Sequence, residues 1–305
     1  MKASAKLKNY LVQALAQSMT VELMQKLAVR VLPDYNLRYQ SGFPPSIPVP
    51  QRDAALQVVS DIVRQGRLLS FVEVLIDLDR NGNMGRTVPI RQLPRIIAEI
   101  EDIGFVFKEE YGLFMEGIPA LRTRSWGVLR EGQIYEFSLL RLDIAGSTRL
   151  VRKYPKPEVL KAYGNLRSQF AGIVERREGR VWHWEGDGGI AAFYFGAKNV
   201  QAALAGMEML LEMFMYNLFR RPLSGDLHLR LAVHTGSCPY LNNFEQIRSD
   251  TLRRLEQIES QFTATDSLVI SPGVYSDMGT KLESFFQPVQ VSRRHFLYKY
   301  QLGWE

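Results

Sequence analysis

The stretch IYEFSLLRLDIAGSTRL, residues 134–150, decides how the second half of the chain folds. Its apolar run ends at Asp143 and Ile144 and reads as a buried strand closed by a glycine turn at Gly146. A carboxylate at the end of such a strand is costly unless it binds a cation or caps the following helix. Gly146, Ser147 and Thr148 lead into helical sequence, where free backbone N–H groups form a cradle for phosphate.

Working outward, residues 155–177 carry helical periodicity and VWHWE (181–185) alternates as a strand. That alternation places Trp182 and Trp184 opposite His183, as core packing. GGIAAFYF (188–195) is a second strand after a Gly-rich turn, and a long helix follows to Phe219. The strand LHLRLAVHTG (227–236), a helix over 245–262, the short strand SLVIS (267–271) and the tail FLYKYQL (296–302) complete the unit. This βαββαβ order is that of a ferredoxin-like palm with extra C-terminal elements.

The first half reads differently. Apolar residues at helical spacing fill 5–31 and 51–77, and the proline-rich GFPPSIPVP (42–50) between them cannot be helical. A further helix is expected from Pro94 to Ile103. The fold class is therefore α+β, with an all-α domain at 1–125 and the ferredoxin-like unit at 130–305. DLDRNGNMGRTV (77–88) imitates a calcium loop through Asp77, Asp79, Asn81 and Gly82, but Val88 stands where the bidentate glutamate belongs, so it reads as a turn.

Composition sets outer bounds. With 305 residues, 46 % of them hydrophobic and 23 % charged, the chain has the balance of a soluble globular protein rather than a disordered one. Its one cysteine, Cys238, excludes a disulfide scaffold and fits a reducing cytoplasm. The most apolar segment, Ala203 to Phe219, is interrupted by Glu208 and Glu212, so a membrane span is not expected. The start, MKASAKLKNYLVQALAQ, lacks a signal-peptide pattern. The net charge of +6 is spread without a basic block and gives little ground for a nucleic-acid partner.

Three stretches bear on chemistry: LRLDIAGSTRL with Asp143, WEGDGG with Asp187 in a hairpin turn, and RLAVHTG with His234 at a strand end. In this order and spacing, over about residues 135–290, they resemble the class III nucleotidyl cyclase catalytic domain. The resemblance implies a cyclase palm in which Asp143 and Asp187, with the backbone carbonyl of Ile144, hold two Mg²⁺ or Mn²⁺ ions. One ion would activate the ribose 3′-hydroxyl and the other would bind the triphosphate. Ala145, Gly146, Ser147 and Thr148 would cradle the phosphates, and in-line attack on the α-phosphorus of an NTP would yield a 3′,5′-cyclic nucleotide and pyrophosphate. Two hard carboxylates from adjacent strands suit such cations independently of the resemblance.

The helix SDTLRRLEQIES (249–260) matches the family at Asp250 and Glu259, but the usual asparagine and arginine positions hold Arg253 and Gln257. Arg253, or Arg254 under a one-residue shift, is the candidate transition-state cation. The base-reading positions of the family fall on His183 and Gln246, which match neither adenine nor guanine readers. This brings in the divergent members that make cyclic pyrimidine nucleotides in antiphage defence. The resemblance also implies a homodimer with its site between subunits. The alternative is a weakened cyclase-like module that binds nucleotide and signals without efficient turnover. The helical half resembles the small death-like adaptor domains of bacterial defence effectors, which implies a regulatory surface for a protein partner.

Overall fold

The computed structural model describes residues 3–44, 46–83, 86–117, 122–219, 223, 225–292 and 295–302. The chain divides into two compact units, Met1–Val128 and Leu129–Glu305.

In the first unit the described helices are α1 (Ala5–Ser18), α2 (Val21–Val31), α3 (Leu37–Ser41), α4 (Gln51–Arg64), α5 (Leu68–Asn81) and α6 (Leu93–Asp102). Each long periodic stretch of sequence is broken once by local chemistry. Thr20, extended, caps the start of α2 with its hydroxyl on the Leu23 amide. Gly66, at φ +65°, provides the left-handed residue that ends α4. Leu7, Leu11, Leu15, Met24, Val58, Ile62, Val72 and Leu75 meet in one apolar core. The structure adds to this helical unit an antiparallel hairpin of β1 (Phe105–Lys108) and β2 (Leu113–Glu116). The calcium-like segment begins inside α5, where Asp77 pairs with Arg30 at 3.1 Å and Asp79 accepts the Ile90 amide at 2.6 Å. Met84 and Gly85, within that segment, lie outside the described residues.

The second unit contains β3 (Ile134–Ile144), α7 (Ser147–Lys153), α8 (Lys156–Arg176), β4 (Arg180–Glu185), β5 (Gly188–Phe193), α9 (Lys198–Phe219) and β6 (Leu229–Pro239). There follow α10 (Asp250–Gln257), β7 (Ser267–Ile270), α11 (Pro272–Tyr275), α12 (Gly279–Glu283), β8 (Gln287–Ser292) and β9 (His295–Gln301). The sheet order is β4-β5-β3-β6-β7-β9-β8. Its first four strands have the ferredoxin-like arrangement, with β3 central and antiparallel to both β5 and β6. Pairing on both edges explains why the β3 sequence is a nearly continuous apolar run.

Alternation along β3 divides its side chains. Leu140, Leu142 and Ile144 join Phe170 and Ile173 of α8 and Met209 and Met213 of α9 in the core. Arg141 and Asp143 face the other way, towards the face that carries α10. By length and composition α9 is apolar enough to span a membrane; it lies against the sheet, with Ala202, Ala203, Gly206 and Met209 buried. Its Glu208 pairs with Arg176 and Arg177 of α8 at 2.6 and 2.7 Å. The expected helix over 245–262 is shorter: residues 244–246 form a 3₁₀ turn, α10 starts at Asp250 under the Ser249 cap, and a π turn covers Ile258–Phe262.

The expected alternation of β4 fails at one point. A bulge between Val181 and His183 shifts the register against β5. Trp184 packs on Phe170 of α8 with centroids 5.6 Å apart, whereas Trp182 turns to the opposite face and meets Phe137 at 4.5 Å. Both tryptophans serve packing, but Trp182 shares the face of His183.

The β4–β5 turn is pressed against β3. A Cβ at Gly188 would stand 2.7 Å from the Leu142 carbonyl oxygen, a distance that side chains do not tolerate. Gly188→Ala is therefore expected to cost about 1–3 kcal/mol of stability, the usual scale of forced overpacking. Urea denaturation checks this, and an unchanged midpoint would show that the turn relaxes freely.

Candidate functional site

Asp143 stands near the end of β3, half-buried, beside the β4–β5 turn. Leu142 pairs with Gly189, the last register pair of β3 with β5, and Asp187 lies two residues before Gly189, in the turn that joins β4 to β5. The tightness at Gly188 is the same approach, since a Cβ there would also stand 3.6 Å from Asp143 Oδ1. The two aspartates thus belong to neighbouring ends of one antiparallel pair. The Ala145 amide donates to the His228 carbonyl at 2.9 Å, on the β6 side. A trans peptide points its C=O opposite to its N–H, so the Ile144 carbonyl faces the Asp187 side. Two carboxylates and one carbonyl on adjoining chain ends form the hard oxygen donor set that Mg²⁺ or Mn²⁺ takes. Among the described residues no group of three His, Cys, Asp or Glu side chains is placed to hold a metal.

Gly146 follows with φ +73°, which L side chains rarely adopt, and opens α7 without a side-chain cap. Its carbonyl accepts from Arg149 at 2.9 Å. Ser147 and Thr148 occupy the first turn at the same strand end as Asp143.

Sequence reasoning missed the charges beneath Asp143. Arg230 on β6 is the register partner of Asp143, and its Nη2 donates to Asp143 Oδ2. Its Nε lies 3.0 Å from Glu259 Oε1, close in distance but not aligned as a hydrogen bond. Glu259 also accepts from Arg141 Nε at 3.2 Å, and its side chain is only 3 % exposed. Burial opposes the charge on Arg230, but the Asp143 hydrogen bond and the charges of Glu259, Asp143 and Asp187 outweigh it and hold the guanidinium above the usual arginine range. Burial pushes the Glu259 carboxyl up, Arg230 pulls it back and Asp143 adds to the rise. Tyr163 on α8 has a buried hydroxyl without a partner; burial raises it above the ordinary phenol, and Asp187 and Asp143 raise it further. The one sequence signal for this network was a charged residue, Arg230, inside an otherwise apolar strand opposite Asp143.

Arg141 also lines a cleft of about 690 Å³ together with His183, Phe244, Ser249 and Arg253. His183 stacks on Phe244, rings 4.7 Å apart and 13° from parallel. Gln246 is exposed in the neighbouring 3₁₀ turn and is not among the cleft-lining residues. Arg253 is 80 % exposed at the side chain and paired with Asp250, one turn earlier. Arg254 donates to Gln257 Oε1 at 2.6 Å. The structure therefore brings together Asp143, Ile144, Ala145, Gly146 and Asp187 at one strand end, and His183 and Arg253 in the adjoining cleft.

No protein-family model matches the chain, and no curated protein matches it. Solved structures of class III cyclase catalytic domains do match in fold. One is the guanylate cyclase domain of RhGC from Catenaria anguillulae in complex with GTP, at 14 % identity and TM-score 0.47, covering 55 % of this chain and 96 % of that one. The adenylyl cyclase CyaB from P. aeruginosa matches at 18 % identity and TM-score 0.47, over 57 % and 96 % of the two chains. An adenylate/guanylate cyclase/hydrolase from Silicibacter pomeroyi matches at 16 % identity and TM-score 0.47, over 56 % and 99 %.

His234, near the middle of β6, has a buried Nδ1 without a partner. Burial, and then the nearby charge of Arg254, lower its pKa from 6.5 to about 4. The folded protein binds this proton more weakly than the unfolded chain, so the contribution is complete above the unfolded value and is lost as pH falls towards the folded one. Between those values wild-type stability is expected to drop by up to about 1.4 kcal/mol per pH unit. His234→Gln should flatten that acid limb in urea titrations across the range, and an unchanged limb would assign it to other groups.

Proposed function

We propose that residues 129–305 are the catalytic unit of a metal-dependent nucleotidyl cyclase that converts an NTP to a 3′,5′-cyclic nucleotide and pyrophosphate. The observation that carries this reading is the convergence of Asp143, the Ile144 carbonyl and Asp187 beside the left-handed Gly146 loop. These groups fit a divalent cation, and the Asp-Ile-Ala-Gly-Ser-Thr, Gly-Asp-Gly and His-Thr-Gly stretches stand in the order of the class III family.

When bound, Mg²⁺ or Mn²⁺ ions would supply Lewis-acid activation of the ribose 3′-hydroxyl and neutralise the triphosphate. Asp143 and Asp187 would hold them, and Ile144 would complete the set from its backbone. The Ala145 amide, expected in the phosphate cradle, is engaged by the His228 carbonyl, so the amides at Gly146, Ser147 and Thr148 orient the phosphates. His183, backed by Phe244, offers a flat ring to the nucleobase, and Arg141 and Arg253 line the same cleft. In the reaction the 3′-oxygen bonds to the α-phosphorus as the bond to the pyrophosphate oxygen breaks. Arg253 supplies a guanidinium for the charge that develops there. A second copy of the chain completes the site as a homodimer, and the helical unit regulates it through a protein partner.

A second reading, a nucleotide-binding module with weak turnover, is favoured by one arrangement. Arg253 is tied to Asp250, and Gln257, a neutral amide, accepts from Arg254 and supplies no cation.

Asp187→Asn should reduce Mn²⁺-dependent NTP turnover by at least about 10²-fold, the scale of lost electrostatic stabilisation in a transition state. Asp143→Asn should do the same, with its melting checked because Arg230 loses a partner. Undiminished turnover by either variant would remove the two-aspartate reading. Arg253→Ala should depress kcat by about 10²-fold while nucleotide Kd stays near wild type, because its charge acts only as phosphorus is attacked. Gln257→Arg should raise kcat. If wild type binds nucleotide and none of these proteins turns it over, the binding-module reading replaces the enzyme.

A further inference from the structure

Two carboxylates and two guanidiniums meet on the α10 face of the sheet, and one guanidinium touches both carboxylates. Arg230 donates through Nη2 to Asp143 and lies 3.0 Å through Nε from Glu259. Glu259 is buried and anchored a second time by Arg141 at 3.2 Å. The backbone places the pair side by side: Asp143 and Arg230 are cross-strand partners on β3 and β6. Arg230 therefore divides one positive charge between a carboxylate committed to the protein interior and a carboxylate at the open strand end.

That division has a chemical consequence. A cation approaching Asp143 meets a like charge already seated on Oδ2, and the strength of that seat depends on how much of the guanidinium Glu259 holds. We propose that Arg230 is the resident counter-cation of the Asp143 site, a positioning residue whose grip, set by Glu259, tunes how tightly a divalent cation binds. Before metal arrives, Arg230 keeps the Asp143 carboxylate aimed along the strand end. With a divalent cation bound at Asp143, Glu259 would keep Arg230 satisfied as its hold on that carboxylate loosened. The inference rests on the metal-dependent reading of the same site and adds a residue to it.

The arrangement gives opposite signs for two substitutions. Arg230→Gln removes the competing charge, so the full chain should bind Mn²⁺ about tenfold more tightly, the scale of one screened charge contact. Its metal-free melting temperature should fall, and Mn²⁺ should restore more of it than in wild type. Glu259→Gln leaves Arg230 to Asp143 alone, so Mn²⁺ binding should weaken several-fold, roughly the reverse of that contact. Simple structural damage would weaken both. Electron paramagnetic resonance of free Mn²⁺, without nucleotide, gives each Kd. Should Arg230→Gln fail to fold, Arg230→Lys keeps a charge but cannot span both carboxylates, and should also tighten binding.

Asp187→Asn separates this inference from the reading beneath it. If Asp187→Asn loses Mn²⁺ while the Arg230 and Glu259 variants move together or not at all, the counter-cation role is overturned and the two-aspartate site stands. If the opposite shifts appear and Asp187→Asn binds like wild type, Arg230 tunes Asp143 but the ligand set proposed above is wrong. If none of the proteins binds Mn²⁺, both fall.

Discussion

A carboxylate at the end of a strand paired on both edges has to be neutralised, and Asp143 is the residue on which this unit turns. Its strand, β3, is central because β5 and β6 both bond to it. That centrality buries Leu140, Leu142 and Ile144 against α8 and α9 and leaves Arg141 and Asp143 on the other face. Water is too far restricted there to solvate the charge fully, so the protein supplies Arg230. Arg230 in turn needs Glu259, and Glu259 needs Arg141. One fixed charge therefore determines the chemistry of three strand and helix positions, and the cleft that holds His183 and Arg253 borders the same network through Arg141.

Much of this was legible in the sequence, for physical reasons. A continuous apolar run closed by a glycine reads as a doubly paired strand, and the βαββαβ order follows from periods of 3.6 and 2. The aspartates were legible because charge at a strand end and in a hairpin turn breaks those patterns. Other features were not. The bulge at Val181–His183 puts Trp182 on the face of His183, and no composition signal marks one extra residue in a strand. The hairpin Phe105–Glu116 hides in a short polar-apolar stretch within a helical unit. Glu259 pairs with Arg141 across 118 positions, and such a contact exists only once the sheet register is set. Gln246 illustrates the converse: a position aligned by motif sits exposed in a 3₁₀ turn outside the cleft lining.

Charge around the cleft is held in two different ways. The π turn after α10 sends Glu259 into the interior, while Arg253 of α10 faces outward and Arg254 lies near His234. Catalytic charge in this account must therefore be gathered from exposed groups such as Arg253, whereas the metal-facing charge is built into the fold. The stacked His183–Phe244 pair gives the cleft wall a flat aromatic surface.

The most direct test of the cyclase account is product identity. The full chain is incubated with each of the four NTPs and Mn²⁺, and the products are resolved by mass. The account predicts that at least one NTP yields its 3′,5′-cyclic monophosphate with one pyrophosphate released per cyclic product. Linear mono- or diphosphates, inorganic phosphate without pyrophosphate, or intact nucleotides in every case would contradict it.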